Sequence, residues 1–289
     1  MRAAAIWYNA HVEKRTMTFF QKHAYGFGCR LAAAFWPLFR KRRRISVDNL
    51  LRCGVAFDEA EARRIAKQSF CHFLGHMCEA LCVPGVITKD NWREHLDCES
   101  EADPSAVKAL LDETDRPVLL VSGHHGCWEA ATNIISKTRP MIAIARVMDS
   151  KLLQNWIKKH HFRGPVTIVN KNDGFKKSVL EQWQRENAAM TILMDQHTYG
   201  APLLRFFGRP AKTVTSAARL AIRYGCPVVV GSFVRIAPYR YRLVGGAPLV
   251  FAKDADRDAA AQALNDRLEA AIRRYPEQYL WMHRRWRDD

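Results

Sequence analysis

The stretch 117–129, PVLLVSGHHGCWE, decides the fold and contains the first candidate functional residues. Its opening, PVLLV, is a short continuous apolar run, which is typical of a buried strand in a parallel sheet. Two glycines then flank His124 and His125, and Glu129 follows three residues after the second glycine. A glycine-containing turn at this point predicts that the strand passes directly into a helix.

The rest of the C-terminal half repeats this alternation of apolar runs and helical patterns. Predicted strands are 117–123, 141–147, 166–170, 189–196 and 227–236, with a further strand region at 239–251. Predicted helices are 128–137, 150–160, 175–187, 216–225 and 254–274. The pattern predicts an α/β fold, a single-domain sandwich with a central, largely parallel sheet flanked by helices.

The region before the first strand is helix-rich. Asp58 is the expected N-cap of a long helix, with Glu61 three residues later, and Pro84 and Gly85 are expected to end it. A short helix is expected at 104–112. We therefore divide the chain into an N-terminal segment, 1–45, and one α/β domain, 46–289.

The segment 24–39, AYGFGCRLAAAFWPLF, indicates an interfacial anchor. It is interrupted by Arg30, falls short of the roughly 20 apolar residues that span a bilayer, and runs directly into the basic sequence RKRRR at 40–44. An apolar helix face followed by basic residues suits the surface of an anionic membrane. The alternative is a core helix followed by a solvated basic turn.

The net charge indicates which kinds of partner to expect, and the cysteine content indicates whether to expect disulfides or a metal site. The net charge of +16 favours acidic partners, such as an anionic membrane, an acidic carrier protein, a phosphorylated substrate or nucleic acid. Nucleic acid is not expected, because no aromatic platform or binding motif accompanies the basic run. The eight cysteines include no CxxC pair, so we expect free thiols and no metal site.

The two histidines compete for one chemical role. On a continuous helix, His125 and Glu129 would share a face because they are four residues apart. A turn at Gly123 and Gly126 would instead let His124 point back into the site from before the helix. A neutral imidazole beside a carboxylate suits acyl transfer, in which the ring takes the proton of an acceptor hydroxyl.

The sequence resembles a known family at this point. GHHGCWE resembles the GHxGNWE form of the H-x-x-x-x-(D/E) motif in lipid A biosynthesis acyltransferases, the late-acyltransferase branch of the lysophospholipid acyltransferase superfamily. The stretches MDQHTYGAPLLRFFGRPAKTVTSAARLAIRYGCPVV (194–229) and PEQYLWMHRRWR (276–287) resemble the second block and the C-terminal signature of that family. Together with RKRRRISVDNL (40–50), these stretches bring most of the chain into the resemblance.

The resemblance assigns roles to individual residues. It implies that His124 is the general base and that Glu129 orients it, and it places His125 at a variable position. Cys127 stands where the family commonly has asparagine, and a small buried cysteine is the expectation there. Five further residues are implied to bind substrate, either by the resemblance or by their position after a predicted strand or on a predicted helix: Arg146, Asp195, Gln196, Arg209 and Arg219.

The function implied is an O-acyltransferase that moves a fatty acyl chain to a hydroxyl of a lipid A precursor. The donor would be acyl carrier protein, or alternatively acyl-CoA, as a cosubstrate, and no cofactor is expected. The partners implied are acyl carrier protein, an anionic glycolipid acceptor and the membrane surface, at the cytoplasmic face of the bacterial inner membrane. Two alternatives stay open: acylation of another membrane glycolipid or aminolipid, and a non-catalytic basic protein that binds membranes or nucleic acid.

Overall fold

The computed structural model describes residues 17–97, 103–145, 165–170 and 175–287. Its helices are α1 (Phe19–Phe35), α2 (Arg40–Arg52), α3 (Glu59–Ala80), α4 (Val83–Val86), α5 (Pro104–Val107), α6 (Trp128–Ile135), α7 (Lys177–Arg185), α8 (Ser216–Tyr224) and α9 (Arg257–Arg274). Its strands are β1 (Leu96–Asp97), β2 (Val118–Ser122), β3 (Met141–Ala145), β4 (Val166–Asn170), β5 (Ala189–Leu193), β6 (Leu203–Phe206), β7 (Arg209–Lys212), β8 (Val228–Ala237) and β9 (Arg240–Gly245).

Seven strands form the central sheet, in the order β1-β9-β8-β2-β5-β3-β4. β2 pairs in parallel with both β5 and β8, and β3 pairs in parallel with both β4 and β5. The pair β8–β9 is antiparallel. The predicted α/β fold with a largely parallel centre is therefore confirmed.

Both faces of the sheet are covered by helices, as the fully buried β2 requires. Leu119 and Val121 pack into a core with residues of α2, α3, α7, α8 and α9. Val118 and Leu120 point to the opposite face and pack into a second core with residues of α1, α5 and α6. This alternation places the carboxyl end of β2 between two helical layers.

The predicted helix at Asp58 is also confirmed. The Asp58 carboxylate accepts the backbone N–H of Glu61 at 2.7 Å, and the Glu61 carboxylate accepts the N–H of Phe57 at 3.0 Å. α3 then continues to Ala80. Pro84 and Gly85 do not form a simple stop, because they lie inside the short helix α4, where Pro84 occupies an early position that needs no N–H donor.

α1 packs along α3 through small residues. Ala24, Gly28 and Ala32 form its buried face, whereas Phe20, Phe27 and Phe35 are exposed. The basic run at 40–44 forms the first turns of α2, and four of its five residues are exposed. No helix within the described ranges combines the length and the apolar character that a bilayer span requires.

Candidate active site

The turn between β2 and α6 is the one that the two glycines predict. β2 ends at Ser122 and α6 begins at Trp128, so both histidines precede the helix. Gly126 has a φ of 65°, and a Cβ on it would lie 2.3 Å from the carbonyl oxygen of Phe233. A side chain is therefore excluded there by both conformation and space.

His124 is held by Asp195 through two contacts. The backbone N–H of His124 donates to Oδ2 of Asp195 at 2.9 Å, and Nδ1 of its ring lies 2.9 Å from Oδ1 of the same carboxylate. Asp195 is 2% exposed. Burial raises the pKa of this carboxyl, but the His124 ring and its backbone N–H more than offset burial and lower the pKa to about 2. Asp195 is therefore ionised at neutral pH.

Parallel pairing explains why these two residues meet. Ser122 of β2 lies opposite Leu193 of β5, so the residues that follow each strand emerge side by side at the carboxyl edge of the sheet. Gly123 makes room for the contact, since a Cβ on it would lie 3.1 Å from Cβ of Asp195. In open α/β sheets this edge is the usual place for ligand chemistry.

Gln196 completes the group around the imidazole. Its amide nitrogen lies 3.2 Å from Nε2 of His124 and 3.4 Å from Nδ1. The ring of Trp128 contacts the His124 ring edge-on, with centroids 5.2 Å apart. The structure thus brings together His124, Asp195 and Gln196, three of the residues singled out in the sequence.

Glu129 contacts a residue that the sequence did not single out. Its Oε2 lies 2.5 Å from Nε2 of His76 on α3, an ion-pair contact without the alignment of a hydrogen bond. Burial lowers the pKa of His76, but Cys127 and Glu129 outweigh burial and raise it well above its usual value. That Glu129 orients His124 stays a prediction.

His76 belongs to a buried polar face of α3, formed by Ser69, His72, His76 and Glu79. Nε2 of His72 lies 3.3 Å from the carbonyl oxygen of Gly126, and Glu79 forms an ion pair with Arg235 at 2.9 Å. Burial lowers the pKa of His72 to about 3, so this histidine is neutral. The spacing of these four residues, three or four apart on a predicted helix, was the signal that could have revealed them.

His125 is fully buried and faces away from His124. Its Nε2 lies 3.0 Å from the carbonyl oxygen of Tyr275, and burial lowers the pKa of the ring to about 4. The neutral ring donates from Nε2 to that carbonyl. His125 is therefore a structural residue, in agreement with the variable position that the resemblance gave it.

The C-terminal segment closes over the turn. Leu280 N–H donates to the carbonyl of His124 at 3.0 Å, and Gly126 N–H donates to the carbonyl of Gln278 at 3.0 Å. The hydroxyl of Ser69 donates to the carbonyl of Tyr279. Burial and the neighbouring Asp195 raise the pKa of the Tyr279 phenol, which keeps it neutral beside the site.

Arg285 in this segment is buried although it is charged: it is 1% exposed. It donates to Oγ1 of Thr213 at 2.6 Å and to the carbonyl of Lys212, and it stacks over the ring of Phe206. This arginine anchors the C-terminal segment to the β6–β7 hairpin.

Within the described part of the chain, neither Arg209 nor Arg219 forms a hydrogen bond or ion pair with His124 or Asp195. The guanidinium of Arg209, on β7, lies 5.1 Å from the ring centroid of Trp286. Arg219 is exposed on α8. Arg146 lies outside the described residues. Phe206 and Phe207 are buried and pack in the core.

Cys127 is buried and sits just before α6, where its N–H donates to the carbonyl of Phe233 at 2.7 Å. Burial raises the pKa of the thiol, which disfavours the nucleophilic thiolate. The seven cysteines within the described ranges are free thiols. Both observations agree with the sequence expectations.

Comparison with known proteins gives one family. The sequence model of the family described as bacterial lipid A biosynthesis acyltransferase matches residues 2–288. The chain is 24% identical over 264 residues to the lipid A biosynthesis palmitoleoyltransferase of Escherichia coli (strain K12), covering 90% of this chain and 83% of that protein. The same identity and coverage hold for the lipid A biosynthesis acyltransferase of Shigella flexneri.

Proposed function

Because the chain belongs to the bacterial lipid A biosynthesis acyltransferase family, we propose that it transfers a fatty acyl chain from a thioester to a hydroxyl of a lipid A precursor. The observation that carries the mechanism is the contact of His124 with Asp195 at 2.9 Å, at the carboxyl edge of β2 and β5. An imidazole held at Nδ1 by a carboxylate leaves Nε2 to accept a proton.

The proposed reaction is a general-base acyl transfer. Nε2 of His124 takes the proton of the acceptor hydroxyl as its oxygen attacks the thioester carbonyl. The tetrahedral intermediate collapses with loss of the thiolate, which receives the proton from the imidazolium. An ester forms, a thioester breaks, and His124 returns to its neutral form. Glu129 supplies the carboxylate of the family motif and adds negative charge beside the site.

The remaining residues are proposed to bind substrate. Gln196 lies against Nε2, where the acceptor hydroxyl has to arrive, so its amide is suited to position that hydroxyl. Asp195 acts through its contact with His124. Arg146, Arg209 and Arg219 supply positive charge for the phosphate groups of the acceptor or the donor.

Charge and the relatives support the proposed class of donor. A net charge of +16 attracts an acidic carrier protein and an anionic glycolipid alike. The E. coli relative is named for palmitoleoyl transfer, which supports a fatty acyl group as the cargo here. Acyl carrier protein is the proposed donor, with acyl-CoA as the alternative.

The outer face of α1 is proposed to rest on the cytoplasmic surface of the inner membrane. Phe20, Phe27 and Leu38 are each at least half exposed, and the basic run at 40–44 follows directly. Apolar side chains that enter the interface and basic residues that lie among anionic head groups both strengthen binding to the membrane surface. The protein would thus be anchored peripherally beside a lipid acceptor.

The test is reconstitution. The purified full chain is incubated with acyl-ACP or acyl-CoA and a lipid A precursor in mixed micelles, and products are resolved by mass spectrometry. The proposal expects a mass gain of one acyl group, an ester that hydroxylamine cleaves, and loss of product with His124→Ala. Acylation of a glycolipid or aminolipid alone would move the proposal to another acceptor, and absence of acylation with every donor and acceptor pair would refute it.

A further inference from the structure

We infer that Asp195, rather than Glu129 of the motif, is the positioning residue that fixes the tautomer of His124. The inference rests on the proposed function, in which His124 needs an unprotonated Nε2. It assigns a distinct task to a residue outside the H-x-x-x-x-E motif and separates the roles of the two carboxylates.

The first support is the two-point contact. One oxygen of Asp195 accepts the backbone N–H of His124, and the other faces Nδ1, each at 2.9 Å. An ionised carboxylate can accept hydrogen bonds but cannot donate them, so the Nδ1 that faces it carries the proton. Nε2 is then the unprotonated nitrogen, the one that can act as the base.

The second support comes from Gln196, the chain neighbour of Asp195. The amide nitrogen of Gln196 lies 3.2 Å from Nε2 of His124 and 3.4 Å from Nδ1, so it contacts both nitrogens nearly equally and does not select one of them. Gln196 therefore leaves the choice of tautomer to Asp195, whose described contact with the ring is at Nδ1.

The third support is rigidity. Asp195 is 2% exposed, a Cβ on Gly123 would lie only 3.1 Å from its Cβ, and the Tyr279 phenol lies beside it. Rotation of the carboxylate away from His124 would break both of its contacts with that residue. Glu129, in contrast, is engaged by His76 on α3, so its described contact is with a different imidazole.

The geometry predicts what Asp195→Asn does. The side-chain atom that faces the backbone N–H of His124 has to remain an acceptor, because two N–H groups cannot face each other at 2.9 Å. The amide NH₂ is thereby forced toward Nδ1 and donates to it. The ring then has to carry its proton on Nε2, the tautomer that cannot accept a proton from the hydroxyl.

The experiment reads the tautomer directly and needs no substrate. The full chain, labelled with ¹⁵N-histidine in detergent micelles, is recorded by two-bond ¹H–¹⁵N correlation at pH 8, and His124→Gln identifies the His124 signals. Wild type and Glu129→Gln are expected to show the Nδ1–H form, and Asp195→Asn the Nε2–H form. Glu79→Gln removes an equally buried carboxylate from the Arg235 ion pair and is expected to keep Nδ1–H.

Kinetics supplies the second readout. Asp195→Asn is expected to lower kcat by about 10²- to 10⁴-fold with little change in KM, because binding is retained and the base is in the wrong form. A merely structural role would instead lower the melting temperature and leave the tautomer of the folded fraction unchanged.

The possible results distinguish failure of this inference from failure of the proposed function. An Nδ1–H ring in Asp195→Asn, or an Nε2–H ring in wild type or Glu129→Gln, overturns the inference. If Asp195→Asn does not fold, the wild-type and Glu129→Gln spectra decide alone, with Nδ1–H in both supporting Asp195. Should the tautomers follow expectation while no lipid A precursor is acylated, the proposed function fails and the positioning role stands.

Discussion

Gly28 and Gly75 face each other where α1 crosses α3, and a Cβ on Gly28 would lie 2.7 Å from Cα of Gly75. The same Cβ would lie 2.4 Å from the carbonyl oxygen of Leu74. Such distances leave no room for even one methyl group between the two backbones. The contact fixes which face of α1 is buried and consequently which face carries its exposed phenylalanines.

Gly28→Ala should separate the two helices. Both atoms that the new methyl meets belong to backbone, which cannot rotate away, so we expect a loss of about 1–3 kcal/mol in the free energy of unfolding. Gly26→Ala is the matched control, because it lies on the exposed side of α1 with open space around its Cβ. That control should gain about 0.5–1 kcal/mol from helix propensity. Chemical denaturation measures both, and equal stability of the two variants would contradict this packing.

The two adjacent histidines should differ sharply in their effect on turnover. His124→Ala is expected to lower acyl transfer by at least ~10²-fold, the usual loss for a general base. His125→Phe should be mild at equal concentrations of folded protein, because His125 contacts the Tyr275 carbonyl rather than the Asp195 pair. Thermal melting establishes the folded fraction of each variant first. Turnover retained by His124→Ala but lost in His125→Phe would reverse the assignment.

Burial of neutral His125 should make stability depend on pH. Its pKa is about 4 in the folded chain against 6.5 without burial, so between these values the unfolded chain binds a proton that the folded chain does not. Stability from this residue is full above pH 6.5 and is lost as pH falls toward 4, by up to roughly 3 kcal/mol. His125→Phe should be less stable than wild type at pH 7, but its free energy of unfolding should fall less as the pH is lowered toward 4. Denaturant titrations at pH 7 and near pH 4 measure both effects. An equal fall in the free energy of unfolding for the two proteins would refute this prediction.

The basic run should govern membrane partition. Replacing residues 40–44 by glutamine removes five positive charges, each worth about 1 kcal/mol near an anionic surface, and should shift the chain from anionic vesicles to the supernatant. The shift should be largest at low salt. A matched control removes five exposed charges elsewhere, namely Arg116, Lys177, Arg185, Arg240 and Arg257. Equal partition of the two variants would leave the basic run as an ordinary solvated surface.

The fold was predictable from the sequence because each strand of the parallel sheet is a compact apolar run bounded by turn residues. β2 and β5 are buried on both faces, so their sequences are mainly apolar. The glycine turn was equally accessible, since Gly126 has the positive φ that only a glycine adopts without strain. Both features, the apolar strands and the glycine turn, depend on residues that are close together in the sequence.

The site was less predictable because its contacts join distant parts of the chain. His124 and Asp195 are 71 positions apart, and their meeting depends on the register of β2 against β5. His76 lies on α3, where the apolar spacing predicts the helix but no motif marks the buried polar residues. The motif suggests Glu129 as the partner of His124 because it is near in sequence, whereas the contact between His124 and Asp195 depends on the pairing of β2 with β5.

Closure of the histidine turn by the C-terminal segment sets an order of events during synthesis. His125 and Tyr275 are 150 positions apart, so at ordinary elongation rates a ribosome needs on the order of ten seconds between them. During that interval the carbonyl of His124 and the N–H of Gly126 lack the partners that Leu280 and Gln278 later provide. A growing chain therefore cannot complete the turn that carries His124 until residues 275–280 have been synthesised, and in the proposed mechanism the base is in place only after that closure.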